Sequence, residues 1–109
     1  MTDNRYDHIN FYEKCFKVVK TIPLGKVTTY GLIAKSLGTY KSARLVGWAM
    51  NNSHGKGLPS HRVVNRNGLL TGKHNFGGVN VMKELLINEG HKFKGDKILN
   101  LDKVLWIPK

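Results

Sequence analysis

In Pro59-Ser60-His61-Arg62-Val63-Val64 a hydroxyl and an imidazole are sequence neighbours, and Glu89 lies downstream as a carboxylate that could orient the imidazole. Hydroxyl, imidazole and carboxylate are the parts of a nucleophilic hydrolase. Two features argue against one here. Ser60 and His61 are adjacent, and no Gly-x-Ser-x-Gly elbow surrounds the serine. A serine hydroxyl is also hard and almost wholly protonated, whereas a thiolate in its place would be soft and able to displace carbon from oxygen. His54, His74 and His91 have no ligand spacing with Cys15, so neither a metal nor a cofactor is assigned.

The elements that must position these groups follow from apolar spacing. Phe11, Cys15, Val18, Val19 and Ile22 recur at helical intervals and predict an amphipathic helix over residues 10–21, with Cys15 as a buried core thiol. The polar residues 1–9 read as a loose lead-in. After the Pro23-Leu24-Gly25-Lys26 turn, Thr28 or Thr29 can cap a second helix carrying Leu32, Ile33 and Leu37, which Gly38 ends. Ser42 can cap a third helix running to about Asn51, and the pair forms a helix-turn-helix pattern. Arg62-Val63-Val64 reads as a short buried strand, and Asn65-Arg66-Asn67-Gly68 as a turn before Leu69-Leu70. A glycine-rich loop precedes a helix over 79–88 with Val81, Met82, Leu85 and Leu86 facing inward and Gly90 terminating it. The tail, with Phe93, Ile98, Leu99, Val104 and Trp106, is expected to form a hairpin or an extended segment on the core.

At 109 residues the chain suits a single domain, and 18 Lys and Arg against 7 Asp and Glu give a net charge of +11. Such an excess favours a polyanion, usually nucleic acid. The basic residues are spread along the chain, which argues for a folded basic face over a basic tail. One cysteine excludes an internal disulfide, and with no apolar run long enough to span a bilayer the expectation is a monomeric cytoplasmic protein.

The 59–64 stretch resembles the Pro-Cys-His-Arg-Val signature of the O6-alkylguanine-DNA alkyltransferases, with Ser60 where the alkyl-accepting cysteine stands. Ile22-Pro23-Leu24-Gly25-Lys26-Val27-Thr28-Thr29-Tyr30-Gly31 is similar to the family's Ile-Pro-x-Gly-x-Val-x-(Ser/Thr)-Tyr-Gly segment. Arg44-Leu45-Val46-Gly47-Trp48-Ala49-Met50 resembles its recognition helix, and Glu84 through Gly90 the helix ending in its catalytic glutamate. The likeness runs from Phe11 to about Gly90 and matches the DNA-binding half of those enzymes. Leu105-Trp106-Ile107-Pro108 is similar to the C-terminus of the non-catalytic alkyltransferase-like branch.

The resemblance implies a mostly α fold with short β elements, a winged-helix-like domain containing the helix-turn-helix. It implies binding of double-stranded DNA in the minor groove, flipping of O6-alkylguanine into a pocket, and marking of the lesion for nucleotide excision repair without alkyl transfer. The alternative is a methyltransferase whose cysteine has been replaced by Ser60. Arg44 matches an arginine finger that fills the space left by the flipped base, although an arginine there could also bind phosphate. Tyr30 matches a tyrosine beside that base, or packs under the helices. Gly47 would let the helix approach DNA closely, with Thr29 also on the DNA side. Trp48, one turn from Arg44, could pack on deoxyribose or on the protein. Met50 matches a pocket residue or is core; Ser60 and Val63 carbonyls would accept from the guanine amino group. Lys73 falls near a basic residue placed against the alkylated base, with Phe76 as its competitor. His61, Glu89 and Asn52 match the residues that activate the missing cysteine, the histidine being relayed to the glutamate through water.

Overall fold

The computed structural model describes residues 4–38, 43–53, 55–71 and 77–109, with side chains from Asn10 onward. Helix α1 (Asn4–Lys20) is followed by strand β1 (Thr28–Thr29), helices α2 (Tyr30–Ser36) and α3 (Ala43–Asn51), and a 3-10 turn over Ser60–Arg62. Strand β2 (Val63–Val64), helix α4 (Gly78–Asn88), strands β3 (Phe93–Lys94) and β4 (Lys97–Ile98), and the short helix α5 (Leu101–Val104) complete it. Helix α1 begins at Asn4, inside the stretch read as a lead-in, so the helix extends about a turn and a half beyond the expected start at residue 10. The proposed cap Ser42 lies outside the described residues.

Strands β1 and β2 pair in parallel, Thr28 opposite Val63 and Thr29 opposite Val64. A parallel pair needs a long crossover, and α2 and α3 supply it. Successive strand residues face opposite sides. Accordingly Val63 joins the core of Cys15, Val19, Ile22, Ile33, Ala34, Val46, Ala49 and Met50, while Val64 joins Val27, Leu70, Met82, Leu86 and Ile98. The ladder thus divides a helical core from a second core under α4 and the hairpin. Burial pushes the Cys15 thiol up to about 12, the behaviour of an inert core cysteine.

The tail does both things expected of it. Strands β3 and β4 form an antiparallel hairpin, and the end of the chain runs beside β1, with Leu105 bridging Val27. The Val27 N–H donates to the Val104 carbonyl at 3.0 Å, and the Trp106 N–H to the Val27 carbonyl at 2.7 Å. Asn65 shapes the intervening turn: its side-chain oxygen accepts from the Asn67 and Leu69 N–H groups, both at 2.9 Å. Gly68 closes that turn at φ +79°, where an added Cβ would lie 2.8 Å from the Ile98 side chain. Arg62 belongs to the 3-10 turn and not to the strand. On α4 only Met82 and Leu86 of the four expected inward residues are buried; Val81 and Leu85 are exposed, because the second core covers one side of that helix.

Candidate functional site

Helix α2 starts from Thr29, whose hydroxyl accepts from the Leu32 N–H at 3.1 Å. This N-cap occupies the Thr29 side chain, and the residue is buried, so it offers DNA little surface. The cap places Tyr30 at the first helical position, half-buried, with its hydroxyl 3.0 Å from the Thr71 hydroxyl. Burial pushes the Tyr30 phenol up to about 12, against the lowering effect of Thr71, so it stays a neutral donor and acceptor.

Helix α3 packs on α2 and α1 through an inner stripe of Val46, Ala49 and Met50. Residues three and four apart share a helix face. Arg44, Gly47 and Trp48 therefore share the outer one. Arg44 is exposed, Trp48 is 45% exposed, and a Cβ on Gly47 would meet nothing within 4 Å.

The cluster around Ser60 is assembled by two chain reversals. The 3-10 turn over Ser60–Arg62 is closed by the Arg62 N–H on the Pro59 carbonyl at 3.0 Å, and it aims His61 and Arg62 at the end of α4. Helix α4 ends in a Schellman motif: the Gly90 N–H donates to Ile87 and the His91 N–H to Leu86, with Gly90 at φ +97°. That cap holds Glu89 in place. Arg62 grips the carboxylate as a fork, Nε to Oε1 and Nη2 to Oε2 each at 2.9 Å, and its Nη1 donates to the Ile22 carbonyl at 2.9 Å. His61 Nε2 lies 2.6 Å from Oε2. The contact is direct, so the water expected between His61 and Glu89 has no place there. Burial alone would raise the Glu89 carboxyl, but Arg62 and His61 outweigh it and hold its pKa below the ordinary glutamate value. An ionised carboxylate only accepts, so His61 Nε2 carries the proton.

Ser53 Oγ donates to the Met50 carbonyl at 2.6 Å and lies 2.7 Å from Ser60 Oγ. A hydroxyl has one proton. With the Ser53 proton on Met50, Ser60 is the donor between the two serines. The proton of Ser60 thus points to a hydroxyl and not to an imidazole, and among the described residues no base activates it. The described residues therefore do not form the hydrolase arrangement.

Several expected partners stand elsewhere. Asn52 is exposed, and its amide donates to the Trp48 carbonyl at 2.9 Å; the residue that reaches Ser60 is Ser53, one position along. Met50 and Val63 are wholly buried in the helical core and expose nothing to a ligand. The Ser60 carbonyl accepts from the Val63 N–H in the turn, leaving it one lone pair. Lys73 and Phe76 lie outside the described residues. Reasoning from sequence missed the anchoring role of Arg62, although an arginine within a buried apolar stretch is a signal that a carboxylate must meet it. Nothing in the sequence marked Ser53. Among the described residues no group of His, Cys, Asp and Glu could hold a metal ion.

Residues 10–91 match the sequence profile described as 6-O-methylguanine DNA methyltransferase, DNA binding domain. The chain belongs to that family. Within the 6-O-methylguanine DNA methyltransferase family it is similar to alkyltransferase-like protein 1 of Schizosaccharomyces pombe, with 38% identity over 90% of this chain and 95% of the relative. It is also similar to the DNA base-flipping protein of Escherichia coli, 36% identical over 89% of this chain and 74% of that protein. The structure resembles that of S. pombe Atl1 in complex with damaged DNA containing O6-carboxymethylguanine, with a TM-score of 0.78, 34% identity, and coverage of 99% of this chain and 100% of Atl1. The mostly helical domain with short strands is thus this family's DNA-binding fold. The resemblance of residues 59–64 to that family's cysteine-bearing signature implies that Ser60 occupies the acceptor position.

Proposed function

We propose that this chain recognises O6-alkylated guanine in duplex DNA, flips it out of the stack and holds it without accepting the alkyl group. The observation that carries this reading is Ser60: the Arg62–Glu89–His61 cluster around it is complete, yet its own proton is held by Ser53 and no base among the described residues reaches it. The names of its relatives, an alkyltransferase-like protein and a DNA base-flipping protein, support the same role. The outer face of α3 supplies the DNA contact. Gly47 lets the helix axis approach the minor groove, Arg44 enters the vacated stack, and Trp48 covers the adjacent sugar. Tyr30 flanks the flipped base from α2. The +11 charge adds affinity for any duplex. The protein acts as a monomer in the cytoplasm and presents the marked duplex to nucleotide excision repair.

The test is binding to one duplex with O6-methylguanine and to its guanine twin at a single physiological salt concentration. Preference for the lesion is expected, and Arg44→Ala should abolish the preference while leaving binding to the undamaged duplex nearly intact. Equal binding of the two duplexes by the unaltered protein would refute the reading.

A further inference from the structure

The direction of the Ser53–Ser60 hydrogen bond sets what the site offers a bound adduct. The Ser53 hydroxyl lies between two acceptors, the Met50 carbonyl at 2.6 Å and Ser60 Oγ at 2.7 Å. Its proton goes to the carbonyl, the stronger acceptor, and the Ser60 proton then goes to Ser53. What remains on Ser60 Oγ is lone pairs alone. Among the described residues no other donor reaches it. Ser60 is also the member of the pair that meets the surface, 9% exposed against 3% for Ser53.

An alkyl group on guanine O6 must come up against the residue at the acceptor-cysteine position, which here is Ser60. We propose that the Ser53–Ser60 pair makes this site selective for O6 adducts that end in a hydrogen-bond donor, such as hydroxyalkyl groups, over adducts that end in an acceptor or an anion. This deepens the reading above and rests on it. A donor-ended adduct satisfies the Ser60 lone pairs. A methyl-ended adduct of equal size covers those lone pairs without satisfying them, and a carboxylate sets lone pairs against lone pairs. The orientation depends on Ser53, and Ser53 can be removed without orphaning its partner. The Met50 carbonyl still accepts the Ser53 backbone N–H at 3.0 Å.

The experiment measures dissociation constants for otherwise identical duplexes carrying O6-methyl-, O6-propyl-, O6-(2-hydroxyethyl)- and O6-carboxymethylguanine. The unaltered protein should bind the hydroxyethyl duplex about fivefold more tightly than the isosteric propyl one, the worth of one net hydrogen bond. Ser60→Ala should erase or invert that ratio. Ser53→Ala frees the Ser60 proton to donate, and binding of the carboxymethyl duplex should then tighten by about fivefold while the hydroxyethyl duplex changes little. A merely structural role for Ser53 would weaken all four together. Equal binding of propyl and hydroxyethyl duplexes, a ratio that survives Ser60→Ala, or unchanged carboxymethyl binding in Ser53→Ala overturns the proposal. Failure to prefer even O6-methylguanine over guanine overturns the functional reading beneath it, and the two failures are distinct.

Discussion

Replacing Glu89 by Gln tests whether the cluster behind Ser60 serves here as a clamp with no chemistry to perform. The change keeps the shape of the side chain and one acceptor but removes the charge. Arg62 then loses half of its 2.9 Å fork and its counter-ion, and His61 loses a 2.6 Å charge-assisted bond. The three side chains are 12–15% exposed, so water replaces little of what is lost. Breaking a buried pair costs about 3–5 kcal/mol, and the retained amide oxygen brings the expected loss to about 2–3 kcal/mol. For a chain of this size that lowers Tm by about 8–12 °C. The loss is felt across the fold, because Arg62 also holds the Ile22 carbonyl at the exit from α1. Urea unfolding of Glu89→Gln, Arg62→Met and the double variant measures it. The double variant should lose at least about 1.5 kcal/mol less than the sum of the singles, since removing both partners leaves no unpaired charge. A single-variant loss below about 1 kcal/mol, or additivity within about 0.5 kcal/mol, would refute the clamp.

Stability should fall with acidification in two steps. Burial depresses the His91 imidazole, with Arg62 and His61 adding to it against Glu89, so the folded protein holds it neutral while the unfolded chain takes up a proton below about 6.5. The Glu89 pKa is also depressed, so its contribution is present above the ordinary value of about 4.5 and is lost as pH falls through the folded value. His91→Gln should flatten the decline in Tm between pH 7 and 5 and leave the lower step; an unchanged upper step would count against the histidine. Ser60→Cys should give no stoichiometric alkyl transfer from O6-methylguanine at neutral pH, because the new side chain faces the Ser53 hydroxyl, which donates to Met50, and His61 Nε2 is already committed to Glu89. Mass spectrometry of the protein after incubation with methylated duplex reads this directly. A full equivalent of methyl on the new cysteine would instead make the chain a methyltransferase lacking only its acceptor.

Much of this protein is written locally. Thr29 caps α2, Gly68 closes its turn and Gly90 ends α4 because each position demands a short hydroxyl or a positive φ, and those demands depend on near neighbours only. The order of the motifs around Tyr30, Arg44, Ser60 and Glu89 likewise carries the family, and the absent sulfur carries the loss of transfer. Composition predicted the charge that draws the protein to a polyanion.

Contacts between distant residues were decided only by the tertiary structure. Helix α1 reaches back through a polar stretch that periodicity cannot flag, and Val81 and Leu85 face outward because the second core covers one side of α4. Arg62 and Glu89 meet across 27 positions only because a 3-10 turn and a Schellman cap aim them at each other. Whether Asn52 or Ser53 reaches Ser60 turns on about 100° of helix rotation per residue at the end of α3. The direction of the Ser60 proton depends further still on a carbonyl three residues before Ser53. A sequence names the groups that can donate and accept, but a hydroxyl's one proton is assigned only when all of its neighbours are in place.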